Sequence, residues 1–201
     1  MQYQLNIVID DTGLSYIYSS GQSVALVRTV TITPAFADIP TIVWVAFSPF
    51  EQNRVVWDDG YSLYFSKTTG QIEQITSTSY PAQTGIIYVF QNTGAISTVP
   101  SSGNAYIAEN QVSDADNNLF GMQQPGLVNN IALTSKVNAT PINYQQQLAF
   151  APTDTLSIFI SPDAQTGAPI AGIPDNALTV TLSDGLATVA FDNNTNTFIL
   201  A

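Results

Sequence analysis

Trp57, Asp58, Asp59, Tyr61 and Tyr64 place two carboxylates and three aromatic rings on one short stretch of chain. Side chains alternate between the two faces of a strand, so part of this set must point away from whatever the rest packs against. An outward ring can stack on the apolar face of a pyranose, while neighbouring carboxylates and amides bond its hydroxyls. Read this way, Trp57, Tyr61 and Tyr64 are stacking residues, and Asp58 and Asp59 accept from ligand hydroxyls. The alternative is that the rings, with Trp44, anchor a core.

Much other chemistry is closed to the chain. It has no histidine and no cysteine, and its cations are Arg28, Arg54, Lys67 and Lys136. A Ser-His-Asp or Cys-His nucleophile needs an imidazole that titrates near neutrality. Zinc and copper sites need imidazole or thiolate ligands. The formal net charge is −11, which leaves no basic footprint for nucleic acid or for an anionic lipid surface. The expected function is therefore non-catalytic: lectin-like recognition of a carbohydrate or cell-surface ligand.

Two acidic motifs qualify that expectation. Asp11-Thr12-Gly13 follows an apolar strand and resembles the catalytic loop of aspartic proteases, where one carboxylate of a dyad activates water. The motif occurs once in 201 residues, whereas a pepsin-like chain carries two copies. Asp-Thr-Gly also makes a good turn, with the Asp side chain capping the loop. A carboxylate-only hydrolase is the residual enzymatic reading. Asp114, Asp116 and Asn118 alternate oxygen donors as a loop wrapped around calcium would. A solvated acidic loop is the favoured reading of these residues, so no cofactor is expected, calcium being the alternative.

Charged residues are 9% of the chain, against roughly 25% in ordinary soluble domains. About a third of the residues are Asn, Gln, Ser or Thr. Such a surface favours contact with hydroxyl-rich ligands or with further copies of the chain, so a homo-oligomer is expected. A self-assembling particle, tail or inclusion component and a membrane-active defence protein are the competing readings. The first residues form neither a basic start nor an apolar run, which predicts a cytoplasmic protein, or one released from the cell by another route. No apolar run of about eighteen residues predicts a membrane helix.

These residues must be held by strands. The dominant hydrophobic period is two, as in Tyr3, Leu5, Ile7 and Ile9, and no amphipathic helix stands out. Turn signals about ten residues apart predict an all-β, antiparallel β-sandwich of jelly-roll or Ig-like type. Residues 113–126 lack any period and predict a linker or long loop between a β-rich half over 1–112 and a second over 127–201. A single domain over 1–201 is the alternative. Tight hairpins are expected at Asp58-Asp59-Gly60, Asn92-Thr93-Gly94, Ser183-Asp184-Gly185 and residues 192–196.

Overall fold

A computed structural model describes residues 1–36, 39–69, 72–79, 81–113, 118–182 and 184–201. The first third of the chain forms β1 (Gln2–Val8), helix α1 (Asp11–Ser19), β2 (Ser23–Thr33), β3 (Thr41–Ile42), β4 (Val45–Phe47), β5 (Gln52–Asp58) and β6 (Ser62–Thr69). Next come β7 (Ile72–Ser79), β8 (Ile86–Gln91), β9 (Ile96–Pro100), β10 (Tyr106–Gln111), β11 (Asn118–Val128), β12 (Ile131–Lys136) and β13 (Thr140–Pro141). The last are β14 (Gln147–Ser161), β15 (Pro169–Ile170), β16 (Leu178–Thr181), β17 (Leu186–Asp192) and β18 (Thr197–Leu200).

Among the described residues these strands make two large sheets. The larger runs β18-β17-β1-β5-β11-β6-β7, with β12 and β13 also on β11. The smaller runs β4-β2-β14-β10-β8-β9, with β16 on β14. The chain is mostly β, as its period of two requires, but the sheets are mixed rather than antiparallel. β1 pairs with β17, and β10 with β8, in parallel. One apolar cluster draws Leu5 and Ile7 from the larger sheet and Leu26, Phe150 and Ile158 from the smaller. No described helix is long and apolar enough to cross a membrane.

Three sequence expectations are corrected. Asp58-Asp59-Gly60 is not a hairpin: β5 and β6 are both antiparallel to β11 and so run in the same direction. The segment between them is a kink in a path that continues along β11, and Gly60 does not adopt the positive φ that a tight reversal needs. The turn before Leu186 is not a hairpin either, because β16 lies in the smaller sheet and β17 in the larger. From Asn118 onward the expected linker is β11, which pairs with β5 and β6 on one side of it in sequence and with β12 and β13 on the other. The hairpins around Asn92-Thr93-Gly94 and 192–196 do form, joining β8 to β9 and β17 to β18.

The sequence reading gave no helix, yet α1 forms. Asp10 is its N-cap, and its carboxylate accepts from the Gly13 amide at 2.8 Å. That bond, and a second from Asn193, hold the Asp10 carboxyl below the usual carboxylate range. Gly13 does not serve as a turn glycine; a Cβ there would sit 2.7 Å from the Phe191 ring. The helix ends at Gly21 (φ 66°), where the Gln22 amide reaches back to Ile17 at 3.0 Å.

Candidate functional site

The three rings expected to stack on a ligand are core residues. Trp57 is 3% exposed, stacked on Tyr3 at 5.6 Å and edge-on to Trp44 at 5.3 Å. Tyr61 is equally buried, and its hydroxyl accepts from Arg28 at 3.2 Å. Burial is the main reason its phenol is pushed above the ordinary value. Tyr64 is fully buried, with its hydroxyl donating to the Asn138 carbonyl at 2.7 Å. No face of these rings is free for a sugar. Asp59 is exposed and holds the Met1 ammonium at 2.9 Å. Asp58 is exposed, and its Oδ1 accepts from the Gly60 amide at 2.9 Å. Of the calcium loop, Asp114 and Asp116 lie outside the described residues, and Asn118 is buried as the first residue of β11.

Of that set Asp58 and Trp57 border a surface groove, and Asp58 alone does so with an exposed side chain; β5 explains why. Asn53, Val55 and Trp57 point inward, so Gln52, Arg54, Val56 and Asp58 share the outer face of the larger sheet. Three cavities follow this row. The first, about 510 Å³, lies between Tyr18 of α1 and Phe50-Glu51-Gln52. The second, about 460 Å³, shares Phe50 and Gln52 with it and adds Asn6, Arg54, Asn129 and Asn130. The third, about 420 Å³, is bordered by Gln2, Val56, Asp58 and Leu127. From Gln52 to Asp58 the strand spans about 20 Å.

The parts of the groove are tied to one another by hydrogen bonds. Phe50 is 63% exposed. Asn53 fixes its backbone, accepting from the Phe50 amide at 2.8 Å and donating to its carbonyl at 2.7 Å. Tyr18, 52% exposed, donates through its hydroxyl to the Pro49 carbonyl, which fastens α1 to the same turn. Asn129 and Asn130 both adopt left-handed φ, 49° and 69°, and make the tight turn joining β11 to β12. Asn129 Oδ1 accepts from the Arg54 amide at 2.8 Å, and its Nδ2 donates to Asn53 at 3.1 Å. Across the floor, Arg54 Nε donates to Gln4 at 2.8 Å, Gln4 to Asn6 at 2.8 Å, and Asn6 to Thr188 at 3.4 Å. One chain of side-chain bonds thus crosses β5, β1 and β17.

Chemically the groove offers two exposed rings at one end, a floor of planar amides, and a guanidinium. Glu51 and Asp58, the carboxylates that border the three cavities among their described lining, stand at opposite ends, roughly 20 Å apart along the strand. A glycosidase pair stands at about 5 to 9.5 Å, so these two do not form one. Among the described residues no group of three His, Cys, Asp or Glu side chains is placed to hold a metal ion.

Sequence reasoning missed Phe50 and Tyr18. The signal for Phe50 was present: an aromatic ring set between Pro49 and Glu51-Gln52-Asn53, where a buried strand residue would not stand. Tyr18 had no signal once α1 was missed. No family model, curated protein or solved structure gives a significant match to this chain.

Proposed function

We propose that this protein binds a glycan chain along β5, on the outer face of the larger sheet, without chemically transforming it. The two sheets, on this reading, form a sandwich that serves as a rigid platform. The observation that carries the reading is Phe50: a ring 63% exposed, clamped at both backbone polar groups by Asn53, and standing between two cavities. Phe50 does not stand alone: Tyr18 and Val8, also exposed, border the same cavities, and a cluster of exposed apolar groups marks a binding surface where a single one does not. Fixing the backbone that carries the ring lowers the entropy lost on binding. Gln52, Asn6, Asn129 and Asn130 then present amides that donate to and accept from hydroxyls. The low charge of the chain suits such a ligand, because sugar hydroxyls compete poorly with the hydration of charged groups.

Phe50→Ala tests the reading, because an exposed side chain can be removed with little effect on folding. On an oligosaccharide array followed by calorimetry, affinity is expected to fall at least tenfold, a loss of about 1.4 kcal/mol or more, while the far-UV spectrum stays the same. Equal binding by the variant, or silence of the native protein across the array, rejects it.

A further inference from the structure

We infer that the glycan carries a carboxylate on the sugar that meets Arg54, and that Arg54 is the residue that selects for it: the groove is a site for an oligosaccharide containing hexuronic acid. The inference rests on the glycan reading above and specifies the ligand's charge. The chain holds fifteen acidic residues and four basic ones, so a cation that stays clear of every carboxylate needs an explanation. Arg54 is exposed, and no ion pair forms to it among the described residues. The cavity it lines contains Asn6, Gln52, Asn129 and Asn130 and no acidic side chain. In a protein of net charge −11, that pocket lets an anion meet a cation without a carboxylate in the lining to compete. Charges farther away are screened within about 8 Å at physiological salt.

The guanidinium is also aimed. Gln4 Oε1 takes its Nε at 2.8 Å, which fixes the plane and leaves both terminal nitrogens for a partner. That pair of donors matches the two oxygens of a carboxylate in a fork, the geometry in which arginine is most selective. Gln4 is itself held by Asn6, and Asn6 by Thr188, so the fork is braced from below. The main chain of Arg54 is fixed from the side, where its amide bonds Asn129. The flanking cavities share β5 with this pocket, so sugars on either side of the paired carboxylate have room. Phe50 stacks one neighbour, and the strand sets a site about 20 Å long.

The experiment uses the full chain and pentasaccharides of galacturonate, glucuronate and mannuronate, each beside its fully methyl-esterified form. Calorimetry is run at 50 mM and 500 mM salt. The native protein is expected to bind at least one acid about tenfold more tightly than its ester, the effect of one charge-assisted pair. That ratio is expected to shrink at high salt and to fall to about one in Arg54→Gln, which loses more affinity for the acid than for the ester. Arg54→Lys, which keeps the charge and loses the fork, is expected to fall between the two. Equal binding of acid and ester by the native protein overturns the inference and leaves the glycan reading standing. Binding of neutral oligosaccharides alone, sensitive to Phe50→Ala, does the same. Failure to bind any sugar, acidic or neutral, removes both.

Discussion

Arg28 and Arg54 are the same residue type on strands of the same protein, and the structure uses them in opposite ways. Arg28 shares the inner face of β2 with Val24 and Leu26 and is 4% exposed. Its guanidinium lies 5.2 Å from the Trp57 ring and 5.8 Å from that of Trp44. It donates to Tyr61 at 3.2 Å and to the Thr153 carbonyl at 3.0 Å. Thr153 lies where the register of β14 shifts against β2, so its carbonyl is freed from the ladder, and Arg28 satisfies it. Nε and Nη1 have no hydrogen-bond partner among the described residues, and the ring faces are the attraction that remains to them. Arg54, on the outer face of β5, has one side-chain bond and open water. A cation that the fold surrounds is part of the fold, whereas one that the fold only orients is left to act on something else.

The largest expected effect breaks the comparison at its buried end. Arg28→Ala leaves the Thr153 carbonyl without this donor and opens space between Trp44 and Trp57, so unfolding free energy is expected to drop by about 3 kcal/mol. Arg54→Ala is expected to move it by less than about 0.5 kcal/mol. Urea titrations of both variants check the contrast. Similar midpoints for the two would show that Arg28 is not a structural element.

A smaller effect separates the two faces of β1 by pH. Tyr3 points inward from the strand whose Gln4 and Asn6 floor the groove. Its hydroxyl donates to Asp154 at 2.7 Å. This bond first, then burial and the nearby Asp59 charge, push its phenol well above the ordinary tyrosine value. A proton held more tightly by the folded state than by the unfolded chain stabilises the fold at every pH below the unfolded value, about 10. That contribution is lost as pH rises through 10 toward the folded value. Tyr3→Phe is expected to be less stable than the native protein at pH 7 by about 1 kcal/mol and to lose less on going to pH 11. Parallel declines in urea midpoint would contradict the assignment.

The same contrast shows how much of the molecule the sequence makes legible. Strand period set most strands and the inward side of β5, because Val55 and Trp57 share a parity that Gln52 and Arg54 do not. The parity of Arg28 with Val24 and Leu26 was equally readable, but its charge argued against the core. Trp57 and Tyr61 follow the apolar parity of β5 and β6. Tyr64 does not; it is buried because the backbone at Asn138 lies over that side of β11. A Cβ on Gly121 would stand 2.1 Å from the Asn138 carbonyl oxygen and 2.5 Å from the Tyr64 ring. That cover comes from residues far along the chain, and no local pattern announces it. The kink at Asp58-Asp59-Gly60 is similar: its turn composition was right, but the choice between reversal and continuation belongs to β11. The groove was legible only at Asp58, since its walls come from α1, the turn at Phe50 and the hairpin at Asn129.

The smallest expected effect sharpens the outer end. The turn at Asn129 and Asn130 divides β11 from β12. Asn129→Gly keeps a residue that tolerates φ near 49° and removes the side chain that bonds the Arg54 amide and Asn53. Two exposed or half-buried bonds and some backbone entropy are lost, so stability is expected to fall by roughly 0.5 to 1 kcal/mol. The backbone beneath Arg54 then keeps the bond from the residue 129 amide to its carbonyl but loses the side-chain half of its lateral brace, while Gln4 still holds Nε. Binding of the preferred hexuronate pentasaccharide is expected to weaken severalfold, whereas its methyl ester, which leans on Phe50 rather than on the fork, weakens less. Equal weakening of acid and ester would place Asn129 in general support of the groove. Unequal weakening ties it to the aim of the guanidinium, which separates a cation that is positioned from one that is merely exposed.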